Sequence, residues 1–219
     1  MRYLITILLL WQFAACNRPA QDRGSNKSAS STDSTTLAGF VVSDSSFASF
    51  LHKFVPVNRP LNLSRDCLPN LQNASKIDET TILQFVHPRG DTAEIDEGWE
   101  GRDTRYGQLV ACSAEFVAVT HGEWAAVDNY TGTLFLTTYS RQGKILSRIV
   151  AAEIYEGTFD SETITSLIDA DLHIDRETFV LHVPDSEVED STTFTSQPGS
   201  SNVWREKFVI DSLGFIKKL

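Results

Sequence analysis

Basic residues are in short supply. The 219-residue chain has 19 lysines and arginines against 29 aspartates and glutamates, a net charge of −10. Nucleic acids and anionic phosphate surfaces are held by clustered basic side chains, so this balance excludes them as partners and favours solubility. Cysteine is scarcer still, with three in the chain. None stands in a CxxC pair and no histidine lies at ligand spacing from one, which argues against a zinc site. GxSxG, HExxH, P-loop and GxGxxG motifs are all missing, so hydrolase, metalloprotease and nucleotide readings have no motif support. Long apolar runs are absent too. The run at 4–13, interrupted by Gln12, falls short of the roughly 20 residues that span a bilayer.

That short run has a use of its own. Arg2 supplies a positive start, the apolar stretch follows, and Phe13-Ala14-Ala15-Cys16 ends it with small residues before a cysteine. The pattern resembles the lipobox of bacterial lipoproteins, which implies cleavage after residue 15, lipid on Cys16 and permanent anchoring by several acyl chains. The alternative is an ordinary secretory signal cut near Ala15. Asn17 after the cysteine resembles the outer-membrane sorting pattern of some Gram-negative lipoproteins. Residues 16–36 are rich in Ser, Thr, Asn and Asp and hold no Leu, Val, Ile or aromatic residue, so they read as a disordered tether. Residues 37–219 then form one domain of ordinary size. With Cys16 lipidated, Cys67 and Cys112 are the one pair left for a disulfide, and spacing leaves open whether they bond or stay free thiols.

Within the domain, Phe47, Phe50, Leu51 and Phe54 fall at helical spacing after the N-cap candidates 43–46, and Pro56 and Pro60 end that helix. A second short helix runs from Asp78 to Pro88. From Tyr106 the period becomes two. The pattern predicts a hairpin with His121-Gly122-Glu123 at its tip and a hairpin over 133–150 turning at Arg141-Gln142-Gly143. Strands follow at 164–174, 178–183, 203–210 and 215–218, with a surface loop over 185–202. The segments 138–145 and 208–216 echo one another: an apolar strand, a polar turn with Gly, then Ile. The fold class expected is mainly β, an antiparallel meander of hairpins with one or two short N-terminal helices.

The lipobox, the tether, the helix Phe47-Ala48-Ser49-Phe50-Leu51-His52-Lys53-Phe54 leading into Leu61-Asn62-Leu63, and the hairpin from Leu136-Thr137-Thr138-Tyr139 through Gly143-Lys144-Ile145 together resemble uncharacterised lipoproteins of the Bacteroidetes. The resemblance implies an envelope location and a mostly β domain. It supplies no catalytic residues.

Three constellations could bear chemistry. If 169–175 is a strand, Asp169, Asp171, His173 and Asp175 share one face and could hold a divalent cation, or could simply be a solvated row of charges. Ile174 stands where an EF-hand loop needs Gly, which excludes that motif. Trp99, between Gly98 and Gly101 and among carboxylates, could stack on a sugar or fold back as a lid on the core. His121 and Glu123 at a solvated tip offer an acid and a base with nothing to position them. His52 and His182 have no evident partner. The expectation is therefore a lipid-anchored envelope protein, a non-catalytic binding or assembly module for an envelope protein or glycan, with no cofactor. The alternative is a metal-assisted or carboxylate-based hydrolase of envelope polymers centred on Asp169, Asp171 and His173.

Overall fold

The computed structural model describes residues 36–37, 40–42, 44–88, 103–126, 130–157, 160–182 and 200–219. All of them lie in one unit, Ser34–Leu219. A small ribbon opens it, β1 (Thr36–Leu37) paired with β2 (Phe40–Val41). Asp44 then starts α1 (Ser45–Leu51), its carboxylate accepting the Ser46 and Phe47 N–H groups at 2.7 and 3.3 Å. These are donors that a helix start otherwise leaves open. The helix stops at Leu51, short of the prolines, and Phe54 reaches the same buried cluster from the turn beyond it.

β3 (Val55–Pro56) and β4 (Leu61–Leu63) follow, then a 3-10 turn (Arg65–Cys67) running into α2 (Leu68–Leu71). Asp78 caps α3 (Glu79–Thr81), as its place in the sequence predicts, and a π-helical turn over Ile82–Val86 buries Ile82, Phe85 and Val86. The remainder is a meander: β5 (Asp103–Cys112), β6 (Phe116–Ala126), β7 (Tyr130–Ser140), β8 (Ile145–Glu156), β9 (Asp160–Ile168), β10 (His173–His182), β11 (Ser200–Ile210) and β12 (Ile216–Lys218). Each pairs antiparallel with the next, and with β3 and β4 they make one ten-stranded sheet. The mainly β class read from the sequence is the architecture found.

Side-chain alternation along β6 sorts two cores. Phe116, Ala118 and Trp124 point into an inner core shared with Leu134, Leu136, Ala152, Ile168, Ile174 and Phe208. Val117 and Val119 point the other way, where Phe47, Phe50, Phe54, Phe85, Tyr106 and Tyr139 form an aromatic cluster with ring centroids 5.0–6.0 Å apart. A helical layer therefore covers one face of β5–β7, and strands β9–β11 contribute to the core on the other.

The sheet parts between β8 and β9. Residues 161–164 of β9 pair with 153–156 of β8, but 166–168 pair instead with β4. The first half of β8 is thus free of β9, and side chains seal it. Arg176 donates to the Val150 carbonyl at 3.2 Å, and the Ser147 hydroxyl accepts the Ile216 N–H at 3.2 Å. Arg176 is itself ion-paired with Glu206 and lies 4.9 Å above the Phe208 ring.

Two expectations fail. The turn at 121–123 does not exist, because β6 runs straight through it. The strand over 164–174 is broken at Ile168, and the chain reverses before His173. Of the loop expected over 185–202, β11 already claims 200–202, and the rest lies outside the described residues.

Candidate functional site

A strand that buries both faces carries no ionisable residue without consequence, and β6 carries two. His121 and Glu123 follow Val117 and Val119 on the helical face, so alternation drives them inward, His121 to complete burial. The hairpin tip expected from sequence is instead a fully enclosed stretch of strand. His87, just past the π-helical turn, meets Glu123 with Nε2 2.8 Å from Oε1. On the other side His121 Nε2 lies 3.7 Å from the same oxygen. One carboxylate oxygen therefore sits between two imidazoles. The His121 ring stacks on Phe135 at 5.2 Å, and the Arg148 guanidinium lies over that same ring at 5.6 Å. Arg148 also donates to the Thr137 hydroxyl at 3.2 Å and to the Val86 carbonyl, tying β8 to the end of the helical layer.

The electrostatics are uneven. Burial, reinforced by the charge of Arg148, pulls the His121 pKa down to about 4 despite the opposing pull of Glu123, so the ring is neutral at pH 7. Burial acts to raise the Glu123 carboxyl, but the two imidazoles beside it, His121 and the hydrogen-bonded His87, outweigh that and the net shift is downward. Neither ring nitrogen of His121 has a hydrogen-bond partner among the described residues. His87, with its side chain 17% exposed, is the member nearest solvent. The sequence held no local sign of this grouping, since His87 and Glu123 are 36 residues apart.

The Asp169, Asp171 and His173 group does come together, with one candidate ligand atom from each all within 4.8 Å. Its setting explains why. Asp169 opens the β9–β10 hairpin turn, where its Oδ1 accepts the Asp171 and His173 N–H groups, each at 2.9 Å, and Oδ2 lies 3.2 Å from His173 Nδ1. Two other turns are built alike. Asp211 Oδ1 accepts the Leu213 and Phe215 N–H groups, each at 2.9 Å, and the Ser140 hydroxyl accepts those of Gln142 and Lys144, each at 3.3 Å. In all three the fourth residue donates to the carbonyl of the first and has positive φ: Gly143 at 76°, Gly214 at 90° and Leu172 at 67°. The echo between 138–145 and 208–216 is this shared turn, and 169–173 is a third copy with leucine in the glycine place. Its first carboxylate is spent on the backbone, which also draws the Asp169 pKa down through the His173 N–H. Asp175 lies outside the turn, in β10, paired with Lys207 at 3.2 Å.

Cys67 and Cys112 are far from forming a pair with one another. Cys67 approaches the Asn62 carbonyl beside Leu68 of the inner core, whereas Cys112 packs against the aromatic cluster on the other face of β5. No bond joins them. Cys16 and Trp99 lie outside the described residues. The aromatic residue that does stand out is Trp204 on β11, 51% exposed; beside it is Val203 at 52%, which lies across from Phe179 on β10 at 39%. From the sequence these are strand residues and nothing more. Their signal was an apolar pair on adjacent strand positions, which must place one on each face.

Comparison with known protein families, with curated proteins and with solved structures finds no match for this chain.

Proposed function

We propose that this protein is a lipid-anchored, non-catalytic assembly module of the bacterial cell envelope, held by Cys16 and working by docking. The observation that carries the reading is where apolar surface is left uncovered. Among the described residues, every large exposed apolar side chain except Val55 lies at or after β9: Leu167, Phe179, Val203, Trp204, Leu213, Phe215 and Leu219. Apolar residues scattered singly are ordinary, but their concentration in one part of a fold marks an interaction surface. The first strands of the domain pack elsewhere, since Phe40 of β2 is buried in the aromatic cluster of the helical layer. The β9–β12 region is thereby left for a partner. Against the hydrolase alternative, the Asp169 carboxylate is already committed to two backbone N–H groups.

Two measurements test this in cells. Cys16→Ser should move the protein from the membrane pellet to the soluble fraction, and retention in the pellet would refute the anchor. A photo-reactive amino acid at Val203 or Phe179 should give a discrete adduct, while one at Ser49 of α1 gives none. Equal labelling at all three positions, or labelling at none, would refute docking through this region.

A further inference from the structure

β11 is a long strand with a short neighbour. Among the described residues its outer side is paired only by β12, at Phe208, Val209 and Ile210, while Ser200 to Arg205 are exposed on both faces. The direction of the free backbone groups follows from the pairing that exists. The Leu219 N–H reaches the Lys207 carbonyl and the Asp211 N–H reaches the Phe215 carbonyl, so Lys207 and Asp211 face β12. Outward-facing residues alternate in an antiparallel strand. Ser201, Val203 and Arg205 therefore turn their N–H and C=O groups away from β10. Exposed sheet edges are normally blunted with charge, proline or a bulge. Ser200 to Trp204 have no charge and no proline, and the β10–β11 register is unbroken.

We infer that this edge is a self-association site, where β11 of a second copy pairs antiparallel with β11 about a two-fold axis at Val203. The inference rests on the docking reading and names its partner. Centring the pair at Val203 sets outward-facing residue against outward-facing residue, Val203 on its own counterpart and Ser201 on Arg205 of the other copy, so all the free groups of these three residues are met. Charge permits this register. Arg205, Glu206 and Lys207 follow the neutral run 200–204, and antiparallel pairing centred at Val203 lays Arg205 and Glu206 against the neutral Ser201 and Ser200. The apolar surface also matches. Phe179 is directly across from Val203, so the two-fold axis joins Phe179 and Val203 of both copies into one continuous row on the outer face. Trp204, on the opposite face, is brought beside Asn202 of the other copy. An edge contact of this size is weak in dilute solution. Anchoring in a membrane raises the effective concentration enough to populate it.

The mature full-length chain in detergent micelles provides the test. Paired residues of this type have Cα atoms about 5.5 Å apart, a separation that a disulfide spans. Val203→Cys should give a disulfide-linked dimer under mild oxidation, and Ser49→Cys should not. Ser201→Lys places two like-charge pairs across the axis and should weaken association about tenfold at low salt in sedimentation. Ser201→Glu, facing Arg205, should tighten it. Val203→Pro removes one outward N–H, a change an edge strand tolerates, and should leave a folded monomer. Equal cross-linking of Val203→Cys and Ser49→Cys would overturn the inference, as would identical shifts for the two Ser201 variants. A monomeric wild type that still gives the Val203 photo-adduct in cells would overturn only the second copy as partner. Absence of both would overturn the docking reading with it.

Discussion

His121 should make this protein acid-labile well above the pH at which carboxylates protonate. The unfolded chain binds a proton at this histidine near the ordinary value of 6.5, whereas the folded chain resists until about pH 4 because the ring is fully buried. The unfolded state therefore holds more protons as pH drops through this window, and folding stability falls with it. Between pH 7.5 and 4.5 the loss attributable to His121 is roughly 2–3 kcal/mol, at 1.36 kcal/mol per pH unit across the window between the two pKa values. That is a large part of the roughly 5–15 kcal/mol that holds an ordinary domain together. Glu123 acts lower on the scale. Its folded pKa is depressed, so the stability it lends is present above about pH 4.5 and is lost only below. Urea unfolding followed by the fluorescence of buried Trp124 can be run at both pH values for the wild type and for His121→Asn, which cannot take up a proton there. The stability difference between the two pH values should shrink by roughly 2–3 kcal/mol in the variant. Identical differences in the two proteins would refute the assignment of the acid response to His121.

Two further perturbations probe packing and buried hydrogen bonding. A Cβ at Gly107 would lie 2.4 Å from the Thr120 carbonyl oxygen and 2.5 Å from its hydroxyl. Because backbone has to move, Gly107→Ala should cost about 1–3 kcal/mol, and an unchanged urea midpoint would contradict it. The buried Tyr139 hydroxyl donates to the Phe85 carbonyl at 2.9 Å across the aromatic cluster. Tyr139→Phe leaves that carbonyl unmet and should cost about 1–2 kcal/mol, read as a melting temperature lower by several degrees. A variant that melts with the wild type would show the bond to be dispensable.

What could be read from the sequence was local. The helix at α1 follows from four apolar residues at helical spacing behind a capping aspartate, and the β7–β8 hairpin from a glycine that supplies positive φ. Local rules also misled where one residue had two possible uses. Gly122 looks like a turn, yet it sits mid-strand because a Cβ there would come within 2.4 Å of the Trp124 ring. Leu172 looks like strand and is the positive-φ residue of a turn, held in that conformation while it packs against the inner core. The row of alternating charges at 169–175 dissolved with it. The His87 and Glu123 pair, the passage of β9 from β8 to β4, and the open edge of β11 depend on contacts between distant parts of the chain. No window of neighbouring residues encodes them.

The pairing of β4 with β9 imposes an order of events. From β5 to β12 each strand meets the one beside it in the chain, so those hairpins can close early and cheaply. Leu61 meets Ile168 only after a loop of about a hundred residues has been drawn shut. During synthesis β4 emerges first and its partner much later, so for that interval Leu61 and Leu63 stand unsheltered. The pairing of this three-residue strand must wait for β9, and any delay in making β9 lengthens the wait.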